Sequence, residues 1–114
     1  MAYLKNIEQD RVMKLADEVT VVPGQIVSRT LAQNDAVSIT LFAFSKGEEI
    51  STHTSEGDAM VLVLEGTAEL TVGGVKHSCG AGESIVMPAG VPHAVYGKED
   101  FKMMLTVVFA STQE

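Results

Sequence analysis

Two histidines and a serine carry most of the chemistry this sequence can gather at one place. His53 and Ser55 lie in the stretch 47–66, GEEISTHTSEGDAMVLVLEG, and His93 closes the stretch 82–93, GESIVMPAGVPH. Along an extended strand, residues i and i+2 share a face. His53 and Ser55 are therefore expected to point one way, and Thr52 and Thr54 the other. Imidazole titrates near neutral pH and binds transition metals well. A pair of neutral imidazoles beside a hydroxyl makes a polar spot on an apolar wall, suited to a small ligand with one or two polar atoms. The same histidines supply two ligands for a divalent transition metal, and Glu56 or Asp58 could complete the set from the turn that follows. Glu48 and Glu49 are more remote substitutes. A serine nucleophile at Ser55 has no assignable oxyanion hole or orienting acid, so serine hydrolysis is set aside. The acids lack the spacing of an EF-hand calcium loop and read as solvated turn residues. A purely structural histidine pair is the remaining reading.

The elements that must position these residues are strands. Turn signals recur every 8–12 residues, among them Pro23-Gly24, Gly73-Gly74, Gly80-Ala81-Gly82 and Pro88-Ala89-Gly90. Between them lie about nine short runs rich in Val, Ile, Leu and Thr: 25–32, 37–44, 50–55, 59–64, 67–72, 75–79, 84–87, 92–96 and 101–110. No stretch has the period of an amphipathic helix. Short strands at this spacing predict an all-β sandwich or barrel. Residues 1–24 read as an N-terminal arm or edge strand, with 10–15 the candidate strand and 16–18 a single helical turn. Residues 25–110 form the barrel and 111–114 a tail.

Within this frame the glycines, the proline and the two histidines fall into a known pattern. Gly47, His53 and Gly66 match the first motif of the cupin superfamily, and Gly82, Pro88, Gly90 and His93 match the second. The chain thus resembles a small single-domain cupin, which implies a jelly-roll-like double-stranded β-helix barrel. Metal-binding cupins usually hold their ion with three histidines and a glutamate. The resemblance places His53 and His93 at the first and last histidine positions, Ser55 at the second histidine and Ala59 at the glutamate. The ligand set is degenerate. The resemblance therefore implies a pocket around His53, Ser55, Ala59, Met87 and His93 that takes a small molecule. Its alternatives are a metal-dependent enzyme of dioxygenase or isomerase type, or a structural or regulatory dimer with a relic pocket.

Composition narrows the partners. The chain has 114 residues, a formal net charge of −7 and no basic cluster. An acidic surface repels phosphate backbones and anionic lipid, so neither nucleic acid nor a membrane surface is an expected partner. The single cysteine, Cys79, excludes an intrachain disulfide, and the N-terminal residues lack a signal-peptide apolar run, so the expected location is the cytoplasm. His77 and Cys79 share a strand face, but two ligands do not make a zinc site, and barrel-end packing is expected. Met87, Met103 and Met104 read as core filling. The runs 59–64 and 101–110 are apolar on both faces. The outward face needs cover, so a homodimer by sheet packing or strand exchange is expected.

Overall fold

Alternating apolar and polar residues set the architecture of the chain, a computed structural model of which describes residues 3–110; the expected tail 111–114 lies outside the described residues. The nine strands are β1 (Ile26–Gln33), β2 (Val37–Phe44), β3 (Glu49–His53), β4 (Asp58–Glu65), β5 (Thr67–Val72), β6 (Val75–Gly80), β7 (Ser84–Met87), β8 (His93–Gly97) and β9 (Phe101–Val108). They form two sheets, ordered β1-β2-β9-β4-β7 and β3-β8-β5-β6. Every pairing is antiparallel. The all-β cupin barrel expected from the sequence is the fold observed.

The two sheets bury one interior between them. Inward residues of β4 (Ala59, Val61, Val63) meet Leu70, Val95, Met87 and Met103, all buried. At the end where β2 stops and β9 starts, Phe44 stacks on Phe101 with ring centroids 4.5 Å apart. Each such side chain contributes roughly 1.5–3 kcal/mol through burial. Cys79 lies in this core opposite Ala68. Both ends of β4 approach β9 so closely that only glycine fits. A Cβ on Gly57 would strike the Val108 carbonyl, and one on Gly66, at φ 74°, would strike the Asp100 carbonyl. These contacts hold the two ends of the interior to their width.

A second cluster lies outside the five-stranded sheet. Val19 is buried with Leu31, Leu41 and Ala43, and Ile7, Leu15, Val21, Leu64 and Met104 pack around them. Residues of the N-terminal arm thus cover part of the apolar outer face. Polar contacts fasten the arm: Lys102 Nζ donates to the Ala16 carbonyl at 2.6 Å, and Asn6 Nδ2 to the Thr30 carbonyl at 2.8 Å. The arm contains a short 3-10 helix, Leu15–Glu18, and residues 10–14 form no strand. Asp10 sits at φ 56°, which breaks an extended run. Arg11 turns to the arm's own acids, with Nε 2.7 Å from Glu8 and Nη2 3.5 Å from Glu18. The cover is incomplete, because β4 is buried on its inner face only and Met60 remains exposed.

Candidate functional site

The two histidines meet because an edge strand is irregular. β3 pairs with β8 through Glu49↔Tyr96 and Ile50↔Val95, and then through His53↔His93. Three residues of β3 are thus matched by two of β8, which is a β-bulge. Ile50 lies opposite the buried Val95, so strict alternation would turn Thr52 inward. The additional residue gives that inward place to His53, the re-aiming of a side chain for which bulges are used. Ser55 falls beyond the strand, so the alternation expected to pair it with His53 ends before reaching it. Its Oγ donates to the Gly57 carbonyl at 2.6 Å. The Ser55 carbonyl accepts the Gly90 N–H at 3.0 Å and joins this turn to the loop that delivers His93.

The rings sit edge to face, with centroids 4.3 Å apart and planes at 69°. His93 is buried and His53 exposed. Each Nδ1 is held by the carbonyl two residues earlier: His53 by Ser51 at 2.8 Å and His93 by Val91 at 3.1 Å. A carbonyl only accepts, so each Nδ1 carries the proton and, in the neutral ring, each Nε2 keeps a free lone pair. Burial pushes His93 below the usual histidine range. The Val91 carbonyl opposes this shift, and the neighbouring His53 adds to it. His93 is therefore a neutral acceptor at neutral pH. The bulge and the two orienting carbonyls escaped sequence reasoning. Val91 did carry a signal, because a residue before proline favours extended backbone, as in Val91-Pro92-His93.

The other expected site residues divide. Ala59 lies opposite Met87 on β4 and β7, both buried on the interior side. Asp58 turns to the Ala89 N–H, which its Oδ1 accepts at 2.9 Å. Glu56 lines a hollow of about 410 Å3 with Asn34, Asp35, Phe109 and Ala110, and neither histidine borders it. Among the described residues, no three His, Cys, Asp or Glu side chains gather closely enough to hold a metal ion. Two imidazoles, a committed serine hydroxyl and an alanine methyl do not fit the three or four protein ligands that a transition metal wants. His77 stands exposed opposite Leu70, while burial, followed by the Glu83 charge, pushes the Cys79 thiol up and keeps it protonated.

What the arrangement offers chemically is two adjacent hydrogen-bond acceptors of fixed tautomer, one buried and one open to solvent. No curated protein matches the chain. Among solved structures, it is 46% identical to a conserved protein of unknown function from Streptococcus pyogenes, with a TM-score of 0.96 and 98% of each chain covered. A cupin superfamily protein from Desulfitobacterium hafniense is 36% identical, with a TM-score of 0.90, over 96% of this chain and 100% of that one. Salicylate 1,2-dioxygenase from Pseudoaminobacter salicylatoxidans shares the fold at 20% identity and a TM-score of 0.68, over 82% of this chain and 28% of that one. The cupin domain profile matches residues 40–109, the segment that holds both histidines. With more than half its length matched and the barrel in place, this chain belongs to the cupin superfamily.

Proposed function

We propose that the protein is a small-molecule-binding cupin whose ligand sits against His53 and His93, with Ser55, Ala59 and Met87 bounding the pocket. One observation carries this reading: both Nδ1 atoms are committed to backbone carbonyls, and both Nε2 lone pairs are left for a partner. An acceptor that leaves water without gaining a partner is costly, so a molecule that covers these two atoms is favoured when it brings donors. The ligand class is a small, mainly apolar molecule with one or two O–H or N–H groups. A cytoplasmic location belongs to the same proposal, and a single free thiol suits a reducing compartment.

Metal-dependent chemistry of the dioxygenase or isomerase type is the second reading, and the same observation favours it. Metal-bound histidines are commonly oriented by a hydrogen bond from the ring nitrogen not bound to metal. It requires ligands that the donor set lacks, so the small-molecule reading is preferred. The test is a thermal-shift screen of small phenols, alcohols and amines, with elemental analysis of the untagged protein. Binding raises the stability of the native state by RT ln(1 + [L]/Kd). Metal-free protein stabilised by a donor-bearing compound, with the effect lost in His53→Ala and His93→Ala, supports the proposal. About one metal per chain, lost in both variants, moves the assignment to the enzyme. Neither metal nor stabilisation makes the pair a relic in a structural dimer.

A further inference from the structure

Where His93 carries its proton decides which molecules it can accept. The Val91 carbonyl, 3.1 Å from Nδ1, draws the proton there and leaves Nε2 an acceptor. With the proton on Nε2, the same ring would offer a donor and select carbonyl or ether oxygens in place of O–H and N–H groups. The position of one backbone carbonyl therefore sets the polarity of the site. β7 ends at Met87 and β8 begins at His93, so no strand ladder fixes Val91. A turn fixes it instead, with Gly90 at φ 76°. The Val91 N–H donates to the Pro88 carbonyl at 3.2 Å, and the Gly90 N–H to the Ser55 carbonyl at 3.0 Å. The Ala89 N–H donates to Oδ1 of Asp58 at 2.9 Å. Just beyond, the Pro92 carbonyl accepts the Gly73 N–H at 2.8 Å. Of these contacts only the one to Asp58 is made by a side chain.

We propose that Asp58 is a positioning residue that selects the polarity of the ligand: its carboxylate holds the turn 88–91 so that the Val91 carbonyl keeps the His93 proton on Nδ1. This rests on the small-molecule reading above and assigns the selectivity of that pocket. Asp58 acts through the turn and not on the ligand. A hydrogen bond to a carboxylate is roughly twice as strong as one between neutral groups, so the Asp58 contact is the strongest of those that hold the turn. His53 needs no such latch. Its Nδ1 is held at 2.8 Å by Ser51, which lies on the same strand, β3. With both rings protonated at Nδ1, neither Nε2 can donate to the other, and the pair stays open to a donor from outside. Loss of the latch frees the His93 proton to move to Nε2, where it ends that demand.

The test is nitrogen NMR of the imidazole rings in isotopically labelled full chain at about pH 8, where both rings are neutral. Wild type is compared with Asp58→Ala, Asp58→Asn and Asp100→Ala. Asp100 is the control, because its Oδ1 accepts the Lys46 N–H at 2.8 Å in the same manner, near Phe44 and Phe101. Wild type should show both rings protonated at Nδ1, with widely separated nitrogen resonances. In Asp58→Ala the two His93 resonances should move toward each other as the proton is shared, while those of His53 stay. Asp58→Asn retains an acceptor oxygen and should keep the wild-type pattern, as should Asp100→Ala. A His93 that stays protonated at Nδ1 alone in Asp58→Ala overturns the proposal. An equal change in Asp100→Ala also overturns it, since the effect would then be general loosening. Binding of phenol and of its methyl ether, anisole, completes the test. The preference of wild type for phenol should fall several-fold in Asp58→Ala, and an unchanged preference overturns the claim of selectivity. If wild type binds neither compound while the His93 resonances still move, the small-molecule reading fails and the hold of Asp58 on His93 stands.

Discussion

The barrel has a ring pair at each end, and the two pairs have similar separations and opposite chemistry. Phe44 faces Phe101 across β2 and β9, with centroids 4.5 Å apart and planes at 24°. His53 faces His93 across β3 and β8, at 4.3 Å and 69°. The phenylalanines are buried and have no polar atom to satisfy, so their full area contributes to stability, with roughly 0.5–1.5 kcal/mol more from the ring contact. The histidines carry four ring nitrogens. Two are satisfied by carbonyls, and the two Nε2 lone pairs remain for other partners. A barrel selected for stability alone would carry apolar rings at both ends. This difference is what makes the histidine end the one proposed above to recognise a ligand.

Substitutions at the two ends should therefore behave differently. Phe44→Ala removes a wholly buried ring and should cost about 3–5 kcal/mol in urea unfolding, a large share of a domain's total stability. A cost below about 1 kcal/mol would mean that the stacked pair does not close the barrel. His93→Ala comes next, at about 2 kcal/mol, because it opens a cavity and leaves the Val91 carbonyl without its donor. His53→Ala should cost less than about 1 kcal/mol, since the ring is exposed. Yet both histidine variants should abolish ligand-induced stabilisation equally. An alanine at position 53 as damaging as one at position 44 would make the histidine end structural too, and the contrast would collapse.

Much of this contrast was legible in the sequence. Val37–Phe44, Thr67–Val72 and Ser84–Met87 have the bounds their composition predicts, because their side chains alternate into one interior. The histidines came together as expected, since the turn glycines and Pro88 fix the loops that carry them. What stayed hidden depends on contacts between strands. The bulge after Ile50 exists only in the register of β3 against β8, and β3 ends at His53, so the same-face rule does not reach Ser55. Asp58 was free to turn either way at the level of sequence, and the Ala89 N–H decides its direction. The apolar outer face was read as needing a partner copy. The chain's own arm supplies part of that cover, through contacts to β1 and β2 that no local pattern announces.

The smallest expected effect separates the ends by pH. Burial holds the folded His93 below its ordinary pKa of 6.5, so the unfolded chain binds the proton more readily. The stability that the neutral ring contributes is therefore fully present above about pH 6.5 and is lost as the pH falls through the lower, folded value. The neighbouring His53, whose ring lies 4.3 Å away, adds to the lowering of His93. Asp and Glu residues also titrate as the solution becomes acidic, but their pKa range lies lower and they are common to any histidine variant. The informative quantity is thus the difference between wild type and His93→Gln, followed by urea unfolding from about pH 8 to about pH 5.5. Wild type should lose stability over this window faster than the variant, and Phe44→Leu should follow wild type. Parallel curves for wild type and His93→Gln would show that the buried imidazole gains its proton as easily in the barrel as in the unfolded chain. The histidine end would then differ from the phenylalanine end in shape alone.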